Sequence, residues 1–487
     1  MKLLTTALCF FVWITNGATY FVATNGNNAD VGSEGKPWLT VQFALNSVVA
    51  GDTIKLGQGF YNENANSDTN GAVGSRVILD GQGVAILKQL DIDHRYYTVQ
   101  NLKFQYFETS FAPTLQLGLG AHWSIVSNCV FNMDTNYYVW GLSFETQAVY
   151  PWDTNCASDC LVVNNEFIGG SKIVIALNGF RNLVLSNYIH DVWRTEAVVQ
   201  TYGGNNIIRS NRIENILATA GLSGHVDLFE TTGNTTFSIK GMTNTLVEKN
   251  WCVDIHGQPV SIVDYGHADA LFGYVFRNNV FIRVKEAAQN TITHSRFYNN
   301  TFYNCNWVND GHAIGWSWSN NEDDAPPGTN EYGNSGKCFN NAFLTTSNGT
   351  ASAGWYSFTY SDPSMPAGLP LTNCTADYNF VSKTIGGVPY SAVGAGSVPV
   401  GDGFTWSNQE FFETHGINGG NPLFVNAEGG NFRLIAGSPL INAGTNLSAL
   451  FSDDIAGNPR ISWSIGAFEF QGAINSGSRF RGFRLKP

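Results

Sequence analysis

The densest run of chemistry-bearing residues is Gly224-His225-Val226-Asp227-Leu228-Phe229-Glu230. In an extended strand, side chains alternate, so His225 and Asp227 share one face while Val226 and Leu228 turn to the other. Phe229 and Glu230 then sit near a bend. An imidazole beside a carboxylate can move a proton, and a second carboxylate nearby can act as its counterpart. Four further stretches follow similar turn signals: Ser171–Ile175, Arg194–Gln200, Gln258–Asp264 and Lys285–Gln289. If they lie side by side about 4.8 Å apart, Lys172, Arg194, Glu196, Gln200, His256 and Lys285 join His225, Asp227 and Glu230 in one strip. A second phrase, Gly266-His267-Ala268-Asp269, reads as a repeated turn in which His and Asp bond to each other, and His190-Asp191 as a local cap.

The elements that would align these stretches come from a repeat. One or two asparagines followed by an apolar residue recur in Asn128-Cys129-Val130-Phe131, Asn164-Asn165-Glu166-Phe167, Asn187-Tyr188-Ile189, Asn211-Arg212-Ile213 and Asn250-Trp251-Cys252. The series continues in Asn278-Asn279-Val280-Phe281, Asn299-Asn300-Thr301-Phe302 and Asn340-Asn341-Ala342-Phe343. The intervals Asn165 to Asn187, Asn187 to Asn211 and Asn279 to Asn300 each suit one coil of three short strands. Asparagine tolerates the left-handed backbone of a tight turn, and its amide can bond to the next asparagine one strand away. The residue two places on then points inward and stacks on its equivalents. The expected fold is all-β, a single-stranded right-handed parallel β-helix with an N-terminal helical cap, the cap being the apolar face Val41, Ala44, Leu45 and Val48. Three longer intervals place insertions around residues 132–158, 214–243 and 307–336, which would wall a groove. Their aromatics, Trp316 among them, and His312 suit the apolar face and hydroxyl edge of a sugar. Asn421–Val425 through Phe432–Leu434, and Ile465–Phe470, read as closing strands.

Charged residues are only 13% of the chain, 52 residues are glycine, and the net charge is −12. Scarce Glu, Lys and Arg argue for strands and turns over helices, and the acidic balance argues against nucleic-acid binding. Met1-Lys2 and the short apolar run after it read as a secretory signal, residues 1–18, with no later membrane span. The β-helix is expected over 19–471 and a polar basic tail, taken as disordered, over 472–487. The mature chain is then secreted, extracellular or periplasmic, with monomer as the default. Cys156 and Cys160 could close a small disulfide loop in an oxidising compartment.

Tyr20–Ala23, Gly35-Lys36-Pro37-Trp38 and Gly51-Asp52-Thr53-Ile54 open the chain, and Gly437–Gly444 and Asp454–Arg460 close it. Together with the repeat, these segments resemble secreted β-helix polysaccharide lyases of the chondroitinase B and alginate lyase kind. The resemblance implies a polysaccharide substrate cleaved by β-elimination, which needs a cation for the sugar carboxylate, a base and an acid. His225, Asp227, Glu230, Arg194 and His256 are the candidate catalytic groups. Lys172, Glu196, Gln200, Lys285, Trp316 and His312 are candidates for holding substrate. Calcium is the one cofactor considered, on Glu196, Asp227 and Glu230, because the resembling lyases use acidic residues this way. The family's Lys and Arg pair has no matching position here. Two other readings stay open: hydrolysis by paired carboxylates, Asp227 with Glu230 or Glu196, and a solenoid that binds glycans without reacting. Epimerisation at Asp264–Asp269 is a looser match.

Overall fold

The computed structural model describes residues 17–106, 112–133, 140–144, 156–217, 226–233, 242–264, 271–285, 288–290, 295–305, 314–318, 336–345, 356–360, 375–385, 388–390 and 413–472. The chain is a right-handed parallel β-helix. One coil runs through Leu183–Leu185 on a first face, Tyr188–Trp193 on a second and Ala197–Thr201 on a third. The next coil repeats the path through Ile207–Arg209, Arg212–Leu217 and Asp227–Gly233. First-face strands form a 13-stranded sheet, and second- and third-face strands form a 23-stranded sheet that bends around two sides. Pairing along the solenoid is parallel, for example Leu183↔Ile207, Ile189↔Ile213 and Ala197↔Asp227.

Asparagine fixes the corner between the first and second faces. Asn165, Asn187, Asn211, Asn250, Asn279, Asn300, Asn341 and Asn379 stack on successive coils, although neighbours are 21 to 41 residues apart in sequence. The Asn165 Oδ1 accepts from the Cys129 N–H at 2.9 Å, and each later Oδ1 accepts from the backbone N–H of the asparagine before it, at 2.8–3.0 Å. From Asn187 onward it also accepts from that residue's Nδ2. The same Nδ2 donates to a carbonyl of the coil behind, as Asn250 does to Ile208. With both protons and the oxygen engaged, the hydrogen bonds of these buried amides offset the cost of taking them out of water. The ladder ends on Glu413, whose carboxylate accepts from the Asn379 N–H and Nδ2. The left-handed backbone belongs to the residue before each ladder asparagine, such as Asn164, Ser186, Ser210, Lys249 and Asn278. The two properties assigned to one asparagine are thus divided between neighbours, because the αL residue cannot also aim its amide along the axis. A shorter ladder missed in the sequence, Asn182 to Asn206, fixes the corner between the third and first faces.

Two residues past each ladder asparagine the side chain is buried, as expected. Phe104, Phe131 and Phe167 stack at 5.0 and 4.4 Å, and Phe281, Phe302 and Phe343 at 4.9 Å. Such stacks put identical surfaces in register and fill the core at crystal-like density. The helix Val41–Ser47 closes the N-terminal end with Val41, Ala44 and Leu45 buried, and Glu63 accepts from the Val41 and Gln42 N–H groups.

Three expectations need correction. Residues 132–158, 214–243 and 307–336 are not simple loops: they contain the third-face strands Trp140–Phe144, Asp227–Gly233 and Ile314–Trp318, and most of the remainder lies outside the described residues. Ile465–Phe470 is no strand; it is buried irregular chain, while Phe424–Asn426 and Asn431–Leu434 form an antiparallel hairpin. These C-terminal segments lie along the flank, packing Phe432, Ile455, Ala467 and Phe468 on Val280, Ile282, Tyr303 and Leu344. Cys156 and Cys160 form no disulfide; both thiols are buried, and Cys160 Sγ sits 3.1 Å from the Ala121 carbonyl. The tail at 473–487 and the signal at 1–16 lie outside the described residues.

Candidate functional site

The five aligned stretches do meet. Ile173 pairs with Ala197, Ala197 with Asp227, and Asp227 bridges to Gln258, while Ser261 pairs with both Glu230 and Gln289. Val226, Leu228 and Phe229 enter the core, so the strand turns a corner between Leu228 and Phe229. Alternation before the corner and after it leaves Asp227 and Glu230 on the same outward side, in adjacent rows. Asp227 is only 4% exposed, whereas Glu230 is half-buried and accepts from Gln200 Nε2 at 3.0 Å. Gln200 and Glu230 are themselves register partners on neighbouring coils.

Cations stand at the edge of this face. Lys172 Nζ lies 3.5 Å from Glu196 Oε2, both at the corner between the second and third faces. Arg194, in the left-handed region at φ 63°, is exposed at the same corner two residues before Glu196. His256 and Lys285 occupy that corner two and three coils further on, where the His256 N–H bonds to the Ile216 carbonyl and the Lys285 N–H to the Ile255 carbonyl. Gly257 beside them lets two backbones touch: a Cβ there would stand 1.9 Å from the Val226 carbonyl oxygen. Trp316 lies on a third-face strand in register with Asn290. His225, His312, His267 and Asp269 lie outside the described residues. Among the described residues, no group of three or more His, Cys, Asp or Glu side chains converges closely enough to hold a metal ion. Glu196 is instead engaged by Lys172, and Glu230 by Gln200.

The second face carries a cluster that the sequence reading did not assemble. His190 is held between Asp191 Oδ2 at 2.7 Å and Glu166 Oε1 at 3.1 Å, and the Tyr188 ring stacks on it at 3.9 Å. The His190–Asp191 contact read as a cap is present, but the coil before contributes a second carboxylate. The hydrogen bond from His190 and then that from Asn215 hold the Asp191 carboxyl below its ordinary range. Tyr188 donates to Glu214, and burial together with that carboxylate pushes its phenol up. Glu214 also accepts from Arg212 Nε at 2.7 Å. The overlooked signal is positional: the first and third residues after each ladder asparagine point outward, which selects Glu166, Tyr188, His190, Arg212, Glu214 and Trp251.

No protein-family model matches the sequence, and no curated protein matches it. Solved structures do. The chain is similar to XylC in complex with xylose, at a TM-score of 0.53 and 9% identity over 92% of this chain and 98% of that one. It is also similar to pectate lyase Pel9A, at a TM-score of 0.47 and 14% identity over 94% and 98% of the two chains. A third is the family 6 polysaccharide lyase Pedsa3628 from Pseudopedobacter saltans, at 0.44 and 15% over 77% and 88%. At 9% identity the likeness to XylC bears on the fold alone.

Proposed function

We propose that the protein is a secreted carbohydrate-active enzyme that cleaves an acidic polysaccharide by β-elimination on the third face. The observation that carries the reading is the alignment of Lys172, Glu196, Asp227, Gln200 and Glu230 on three consecutive coils, with His256 and Lys285 on the two that follow. A chain of sugar rings laid along the solenoid axis meets one such group about every 4.8 Å. Lys172, Arg194 and Lys285 supply positive charge for a uronate carboxylate, which acidifies the adjacent C5 proton. His225 or His256 removes that proton as the electron pair forms the C4–C5 double bond. The bond from C4 to the glycosidic oxygen breaks, and the departing oxygen takes a proton from an acid on the same face. Asp227, only 4% exposed, acts as a positioning carboxylate for the base and does not meet substrate itself. Glu196 and Gln200 hold hydroxyls at the rim.

A second reading has its own support. Asp227 and Glu230 are outward carboxylates on one strand, an arrangement that also suits hydrolysis with one acid and one base. Uronate polysaccharides incubated with the protein separate the two: new ultraviolet absorbance from a C=C bond with reducing ends means elimination, and reducing ends alone mean hydrolysis. Neither signal on any substrate would leave a binding solenoid. Repeating an active case with a chelator tests calcium on Glu196, Asp227 and Glu230. The Asp227→Asn variant should lose at least a hundredfold in kcat with an unchanged melting temperature. Unfolding, or full activity, in that variant would displace the site.

A further inference from the structure

A cavity of about 480 Å³ lies on the second face, away from the third-face strip, where the C-terminal hairpin leans over the solenoid. Its wall on the solenoid side is Arg212, Glu214, Trp251 and Arg283, and the hairpin contributes Glu428 and Arg433. We propose that this cavity is a separate binding site for an uncharged, hydroxyl-rich pyranose unit or short neutral oligosaccharide.

The charges that line the cavity are arranged in neutralised pairs. Arg212 is paired with Glu214 at 2.7 Å, and Arg283 with Asp254 at 2.5 and 2.7 Å, each guanidinium held in one plane by its carboxylate. Glu428 accepts from the Tyr303 hydroxyl. An anion entering here would face Glu214 and Glu428, and a cation would face three guanidinium groups. Neutral hydroxyls meet no such conflict, since each can donate to a carboxylate and accept from the neighbouring Arg. Trp251 gives the apolar counterpart: its ring is half-buried, set edge-on to Phe468 at 6.4 Å and tilted to Phe432 at 6.1 Å. Pyranose rings pack their C–H face on such indoles. Gly430, at φ 75°, keeps the hairpin turn close without filling the cavity; a Cβ there would stand 3.4 Å from the Trp251 ring. The volume falls in the range of small-ligand sites and accommodates one or two sugar rings.

Calorimetric titration of the intact protein with xylotetraose, cellotetraose, mannotetraose and galactotetraose tests the proposal, with polygalacturonate as the acidic comparison. At least one neutral probe should bind, and Asp227→Asn should bind it within twofold of the parent. Glu214→Gln and Trp251→Ala should each weaken it tenfold or more while cleavage of a soluble acidic substrate stays unchanged. Glu214→Gln preserves side-chain size and serves where Trp251→Ala disturbs folding. Absence of binding by every neutral probe overturns the proposal. So does binding that Asp227→Asn abolishes and Glu214→Gln leaves intact, which would place the sugar on the third face. Because the catalytic readout is separate, failure here and failure of the elimination reading are told apart.

Discussion

At the scale of single residues, the thiols and the carboxylates show how burial decides chemistry. Cys129, Cys160 and Cys305 are pushed up to about 12 by burial, and Cys252 and Cys338 are raised for the same reason. Thiolate is the reactive form, so these side chains are inert at neutral pH despite being unpaired. Ellman's reagent at pH 8 should therefore count at least six more thiols in denaturant than in the native protein, one for each of the six buried cysteines among the described residues. A denatured count that rises by two thiols when a reductant is added would mean that Cys156 and Cys160 are oxidised to each other. Asp227 was legible from local alternation alone, since Val226 and Leu228 had to be core and the residue between them had to face out. His190 was not, because the Glu166 that completes its environment stands 24 positions away and becomes a neighbour only once the coil is wound.

At the scale of the element, the asparagine ladder is the part of the structure that the sequence displays most openly. Each rung is a short local phrase, so its period could be read without knowing any long-range contact. What the phrase conceals is which asparagine does what, because backbone handedness and amide direction are set by neighbouring residues. Replacing a middle rung tests the ladder's contribution. In Asn250→Ala, the Asn211 N–H and Nδ2 lose their acceptor, and the Ile208 carbonyl loses its donor, all in a buried corner. Several unsatisfied buried groups together should cost on the order of 3–5 kcal/mol. Urea unfolding followed by circular dichroism should show that loss as a lower midpoint with little change in slope. A midpoint within error of the parent would mean that water or a shifted backbone replaces the amide, and that the ladder records geometry without supplying stability.

At the scale of the whole molecule, the doubled asparagines acquire a reason that their spacing could not reveal. The residue before the ladder points out of the corner, and on four consecutive coils it is held by the C-terminal chain. Lys249 pairs with Asp453 at 2.5 Å, Asn278 donates to the Asp453 carbonyl, Asn299 donates to Ser464 and Gly466, and Asn340 exchanges bonds with Thr445. These contacts span 105 to 204 residues of sequence, beyond the reach of any local pattern. The segment thus acts as a strap that runs across coils and ties them to one another, a job nearest-neighbour stacking in a solenoid does not do. Its anchor is Arg460, 6% exposed, which donates to Asn278 Oδ1 at 2.7 Å, to the Ser464 and Gly466 carbonyls, and to Glu469. Glu469 in turn accepts from the Ser462 and Ser464 N–H groups. Arg460→Met keeps the length of the side chain but leaves the Glu469 carboxylate buried without its cation, a change that typically costs about 3–5 kcal/mol. The expected result is a lower melting temperature together with protease cleavage within 446–470 at concentrations that spare the parent, because the strap should release before the coils unwind. Loss of all structure at once would show instead that strap and solenoid unfold as one unit, and an unchanged melting temperature would mean that the apolar contacts of Phe432, Ile455 and Phe468 hold the strap without Arg460.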